Sequence, residues 1–169
     1  RSYVSISKNG VLHIANPQGI RQERIDEAGL ERGEPPIYGY INAVREIGDH
    51  LYACGGGGQI YRRDADGWAS IAGDLRQPVT PPAANLALNL IALADDFADI
   101  DGTSATDLYV VGDGTVRHYD GANWSSCVAN TDESLTRVRC VDAGTVWACG
   151  FNGTLLRGNA ESRFVDVSP

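Results

Sequence analysis

One spacing recurs four times in this chain, and it constrains the fold more than any other feature. A glycine is followed ten residues later by a large apolar residue: Gly10 by Ile20, Gly58 by Trp68, Gly114 by Trp124. The fourth copy, Gly153 and Phe164, stretches the offset to eleven. Successive glycines lie 48, 56 and 39 residues apart, so whole repeats vary in length while the internal offset holds. This pattern describes one small supersecondary unit, repeated with insertions in its connections.

Each full repeat reads as four short strands, a to d. In the second repeat, strand a is predicted over Ile41 to Ile47, b over Leu51 to Cys54, c over Gln59 to Arg63 and d over Trp68 to Ala72. Leu108 to Val111 and Val146 to Cys149 are the b strands of the third and fourth repeats. Alternation of apolar and polar residues is only partial, as in strands covered on both faces. Glycine clusters fall at the b–c turns, where a positive φ is often required. No segment shows a convincing helical period. The first repeat starts at strand b, near Tyr3, and has no strand a.

Periods of about 40–50 residues with four strands each belong to propellers. The stretch Leu108 to Trp124, and more loosely Leu51 to Trp68 and Val146 to Phe164, resembles β-propeller blades carrying a Tyr-Asp-Gly-x-x-Trp type c–d turn. That turn is similar to the Asp-box of sialidase-like propellers, without its leading Ser/Thr. The resemblance implies an all-β fold: a β-propeller fragment of about four four-stranded antiparallel blades, the first lacking its innermost strand. The blades are expected over residues 1–36, 37–90, 91–130 and 131–169 of a single domain. Their count is expected to mean the N-terminal part of a longer ring, with two chains completing one ring as the alternative.

Charge narrows the partners. With 14 Lys and Arg against 22 Asp and Glu, the net charge is −8 and the pI is about 4.7. Nucleic acid and anionic membrane reward clustered cations, so neither is expected as a partner. The longest apolar stretch, Leu86 to Ala94, is far shorter than the roughly 20 residues that span a bilayer. Cys54 and Cys149 share one repeat position, and Cys127 aligns with Ile71 and Val167 on strand d. Equivalent positions of separate blades lie too far apart for a disulfide. Free thiols acting as small apolar residues are therefore expected, and with them a reducing, cytoplasmic setting.

Reactive constellations are scarce. His13, His50 and His118 are scattered and no C-x-x-C occurs, so no zinc site and no cofactor is expected. The Gly55 to Gly58 run lacks the lysine and following helix of a phosphate loop and reads as a tight turn. Asp95, Asp96, Asp99, Asp101 and Asp107 suggest calcium only faintly, and read as a solvated a–b loop. No Gly-x-Ser-x-Gly is present, and no Ser–His–Asp grouping follows from the repeats.

What remains is binding. In an up-and-down sheet the b–c turns and d–a connections emerge at one end. Two of those connections are long and proline-bearing, and long loops on a rigid scaffold are where binding resides. Glu34, Pro35, Arg76, Gln77, Pro78 and Pro81 are the candidate partner-contact residues of that rim. The expectation is a non-catalytic, protein-binding propeller, by analogy a bacterial cytoplasmic immunity or antitoxin-type protein that binds a toxin or effector. The acidic surface suits a basic partner, and open sheet edges invite self-association. The alternative is a carbohydrate-binding or glycoside-processing propeller.

Overall fold

A computed structural model describes residues 2–30, 38–78 and 96–169. The first sheet holds β1 (Tyr3–Ile6), β2 (Val11–Asn16) and β3 (Gly19–Arg24) in the order β1-β2-β3. The second holds β4 (Ile41–Ile47), β5 (His50–Gly55), β6 (Gln59–Asp64) and β7 (Gly67–Ser70). The third is built from β8 (Phe97–Ser104), β9 (Asp107–Gly112), β10 (Thr115–Tyr119) and β11 (Trp124–Ser126). The fourth contains β12 (Leu135–Asp142), β13 (Thr145–Gly150), β14 (Leu155–Gly158) and β15 (Val165–Asp166). Every strand pairs antiparallel with its sequence neighbour in its sheet. The helical turns among the described residues are two short 3-10 segments, Gly73–Leu75 and Phe151–Gly153.

The recurrent spacing has a backbone cause. Gly10, Gly58, Gly114 and Gly153 all close the b–c turn with φ of 75°, 70°, 66° and 78°. That is left-handed backbone, which costs a side chain about 1–2 kcal/mol. At Gly58 space is also closed, since an added Cβ would stand 1.8 Å from the Leu75 carbonyl oxygen. Six residues beyond each glycine lies Asn16, Asp64, Asp120 or Asn159, at the start of the c–d turn. Asn16, Asp120 and Asn159 accept backbone N–H groups two or three residues ahead, in ordinary Asx turns. The Asp-Gly motif is thus explained by turn chemistry.

Neighbouring sheets stack face to face, and a hydrophobic core fills each gap. Between the first two, Leu12, Ile25 and Ile41 meet Ala53 and Tyr61. Between the second and third, Tyr52, Cys54 and Ile60 meet Phe97, Leu108 and Val110. Between the third and fourth, Tyr109, Val111 and Val116 meet Val138, Leu156 and Phe164. The repeated apolar residue lies at or beside the start of strand d: Trp68 pairs with Arg63, Trp124 with Tyr119 and Ile20 with Ala15, and Phe164 immediately precedes β15. Its burial depends on the neighbour. Phe164 is fully buried, whereas Ile20 is 77% exposed and Tyr3 74% exposed. No described sheet packs on the outward face of the first.

The inner strands repeat a further feature. β4, β8 and β12 each break register after their first pair, between Ile41 and Ala43, Phe97 and Asp99, and Leu135 and Arg137. A bulge at the same place in three sheets bends each inner strand alike.

Candidate functional site

The b–c turns and d–a connections do emerge together. Gln77 N–H donates to the Gly57 carbonyl at 3.0 Å, and Gly56 N–H to the Tyr40 carbonyl at 2.9 Å. Beneath them the Tyr61 hydroxyl donates to Gln59 Oε1 at 3.0 Å. Gln59 in turn donates to the Gly39 and Gly56 carbonyls at 3.1 and 2.7 Å. The buried amide is therefore satisfied on both ends, which fixes this end of the second sheet. Burial pushes the Tyr61 phenol up to about 12.

The predicted rim residues fall into three groups. Glu34, Pro35 and Pro81 lie outside the described residues. Gln77 and Pro78 are exposed, on the stretch that follows the 3-10 turn. Arg76 is occupied within the fold. Its guanidinium lies 4.4 Å over the Tyr38 ring and pairs with Glu27 of the first repeat. Arg76 thus straps the second sheet's d–a connection to the first repeat.

The acidic stretch differs most from expectation. Asp95 lies outside the described residues. Asp99 and Asp101 sit inside β8, each 3% exposed, and form no solvated loop. Arg45 Nη2 lies 3.0 Å from both Asp99 oxygens, while Arg45 Nε donates to the Ile100 carbonyl at 3.0 Å. On the other side Asp99 Oδ2 accepts Val138 N–H at 3.1 Å, and Asp101 Oδ2 accepts Cys140 N–H at 2.9 Å. Arg139 Nη1 also reaches Asp101, at 3.3 Å. These carboxylates join three inner strands; a buried carboxylate survives only with such partners. Spacing alone hid this, because carboxylates two apart look alike in a loop and on one strand face.

A second cluster was not foreseen. His118 Nε2 lies 2.9 Å from Asp107 Oδ1, and the Thr103 hydroxyl donates to the other oxygen. The carboxylate stands in the middle, so the hydroxyl meets the carboxylate and not the imidazole. The arrangement ties the a–b turn to strand c and lacks the order of an activated nucleophile. All four cysteines are free; Cys54 and Cys140 are buried, Cys127 and Cys149 partly so. Burial pushes the Cys127 thiol up to about 11 and raises those of Cys54 and Cys140. Their nucleophilic thiolate forms are accordingly suppressed. Among the described residues no group of three or more His, Cys, Asp or Glu is arranged to hold a metal ion, and no helix is long and apolar enough to cross a membrane.

An open cleft of about 540 Å³ lies beside β1, lined by Tyr3, Val4, Arg21, Glu46, His50 and Arg63. Arg63 also grips Glu23 with two hydrogen bonds of 2.6 and 2.8 Å, joining the first two sheets.

No family model matches the chain. Over 138 residues, 79% of its length, it is 38% identical to the Immune protein Tsi7 of Pseudomonas aeruginosa. The match spans 42% of that protein, so the chain covers less than half of the relative's length. Among solved structures it is similar to YCF48 bound to D1 peptide, with a TM-score of 0.61 and 14% identity over 94% of this chain and 47% of that one. It is also similar to the WD40 β-propeller domain of Doa1, with a TM-score of 0.54 and 9% identity over 95% of this chain and 62% of that one. Identities this low speak for the fold alone. The described sheets are β-propeller blades, the first without its innermost strand.

Proposed function

We propose that this chain is a non-catalytic, protein-binding β-propeller of the immunity type, which neutralises a bacterial toxin or effector by binding it in the cytoplasm. The observation that carries the reading is the 38% identity with the Immune protein Tsi7 across 138 residues. The site chemistry supports it. Asp99 and Asp101 are committed to ion pairs and backbone N–H groups, and Asp107 to His118 and Thr103. The propeller scaffold then contributes a rigid rim carrying Gln77 and Pro78. A net charge of −8 favours a basic partner through steering, and four free thiols suit a reducing compartment.

The test is co-expression with candidate toxins, starting with the products of the genes that flank this chain's own. Survival of the host and co-elution of the two proteins as one complex are expected. A toxin that kills regardless and elutes separately overturns the reading. Slower association at higher salt is the expected mark of a basic partner. Unchanged affinity after replacing both Gln77 and Pro78 by alanine removes those two residues from the contact.

A further inference from the structure

Two clefts open beside the outer strands, one between the first and second sheets and one between the second and third. The first, of about 430 Å³, is lined by Glu23, Asp26, Arg63 and Trp68. The second, of about 200 Å³, is lined by Ile71, Asp74, Leu75, Asn123 and Trp124. Both walls of each cleft belong to described sheets and their connections.

The two clefts are built alike. Trp68 and Trp124 hold one repeat position, and Asp26 and Asp74 hold another, counted from the turn glycines Gly58, Gly114 and Gly10. Their contents differ. In the first cleft Trp68 pairs across strands with Arg63, whose guanidinium is gripped by Glu23 at 2.6 and 2.8 Å. In the second, Tyr119 stands at the place of Arg63 and Ile71 at that of Glu23. The Tyr119 ring lies against the Trp124 indole, centroids 5.0 Å apart, and brings no charge. Among the described residues no hydrogen bond or ion pair engages the Asp74 carboxylate or the Asn123 side-chain amide. The second cleft thus keeps a tryptophan and a carboxylate and lacks the arginine. Residues 79–95, which follow its wall in sequence, contain no Lys or Arg to supply one.

We propose that the cleft between the second and third sheets receives an arginine side chain of a basic protein partner, its stem against Ile71 and Leu75 and its guanidinium between the Trp124 indole and the Asp74 carboxylate. A guanidinium is planar, stacks on aromatic rings and donates in a fork to a carboxylate, so one side chain uses both groups. The Asn123 side-chain carbonyl accepts a further N–H. Tryptophan and arginine are the residues that most often dominate a protein interface, and the net charge of −8 draws a cationic surface towards the chain. This gives the protein-binding reading above a point of contact, and rests on it.

The probe is N-acetyl-arginine methylamide, titrated into the intact chain and followed by NMR at the tryptophan indole N–H groups. A saturable shift at Trp124 is expected, with Trp68 unmoved because its cleft already holds Arg63. N-acetyl-norleucine methylamide keeps an apolar stem and lacks the charge. It should bind at least about tenfold more weakly, since charge-assisted hydrogen bonds are the strong ones. Asp74→Asn should weaken the arginine amide by a similar factor and leave the fold intact, as no described bond uses that carboxylate. Absence of a saturable shift overturns the proposal, as does equal binding of the norleucine amide or by the Asp74→Asn variant. Binding that appears only after Arg32→Ala assigns the cleft to the chain's own arginine and also overturns it. A dimer that dissociates on Asp74→Asn assigns the cleft to a second copy, with the same consequence. A toxin that binds the Asp74→Asn variant as tightly as the parent sinks this inference and leaves the immunity reading intact. Arginine amide bound at Trp124 in a chain that takes no candidate toxin sinks the immunity reading and leaves the cleft an arginine site.

Discussion

Arg45 holds Asp99 across the gap between the second and third sheets, with Nη2 3.0 Å from each carboxylate oxygen. Asp99 passes the connection on by accepting Val138 N–H from the fourth sheet. One buried carboxylate thus links three inner strands. Removing one member of such a pair strands the other's charge, at a cost of about 3–5 kcal/mol. Arg45 retains some solvent contact, which places Asp99→Ala near the lower end, about 3 kcal/mol. Asp99→Asn keeps an acceptor for Val138 and should lose less. Urea unfolding reads both; an alanine loss below about 1 kcal/mol would mean that water screens the pair.

The turn glycines separate two contributions. Gly153 has φ of 78° and nothing within 4 Å of an added Cβ, so Gly153→Ala tests backbone strain alone. About 1–2 kcal/mol is expected. Gly58 has φ of 70° and also the Leu75 carbonyl oxygen 1.8 Å from that Cβ. Gly58→Ala must displace backbone as well, and should lower the thermal midpoint well beyond Gly153→Ala. Equal shifts would show that the 3-10 turn yields freely.

Trp124 joins adjacent sheets through one polar contact. Its indole N–H donates to the Ile71 carbonyl at 2.8 Å while its ring lies on the core between the second and third sheets. Trp124→Phe keeps most of the packing and removes the donor. The expected loss is about 1 kcal/mol, checked by denaturant titration.

Acid should loosen the first sheet's attachment. The hydrogen bond from the Arg63 guanidinium holds the Glu23 carboxyl below its ordinary 4.5. The folded state therefore favours the ionised form. The stabilisation is complete above about 4.5 and disappears as pH falls through the lower folded value. Glu23→Gln should cost about 1 kcal/mol at neutral pH and nothing at strongly acidic pH. A difference that stays constant with pH would assign the effect to packing.

The thiols should divide by burial. Cys54 and Cys140 are buried, and Cys127 is held largely as the thiol by a value of about 11. A charged thiol reagent at neutral pH should leave Cys54 and Cys140 unlabelled until denaturant is added, as mass spectrometry would show. Rapid native labelling of Cys54 would mean that the second and third sheets part readily.

Much of the fold was legible because it is written locally. A left-handed b–c turn needs glycine, as in all four copies, and an Asx turn needs Asn or Asp six residues on, as at Asn16, Asp120 and Asn159. Strand a of the second repeat spans Ile41–Ile47, as its pattern implied. Cys127 occupies the place of Ile71 and Val167, since their N–H groups donate to the corresponding residues Val116, Ile60 and Leu155. What lies across a gap between sheets is not local. The same register position is buried at Phe164 and exposed at Ile20, because one faces a neighbouring sheet and the other does not.

The chain's own order of residues determined the turns, the strands and their repetition, through φ preferences and short-range hydrogen bonds. Only the stacked sheets decided that Asp99 and Asp101 became buried links and that Arg76 became a strap. Burial and pairing of a charge depend on groups that arrive from 38 to 54 residues away, and no spacing within one strand specifies them.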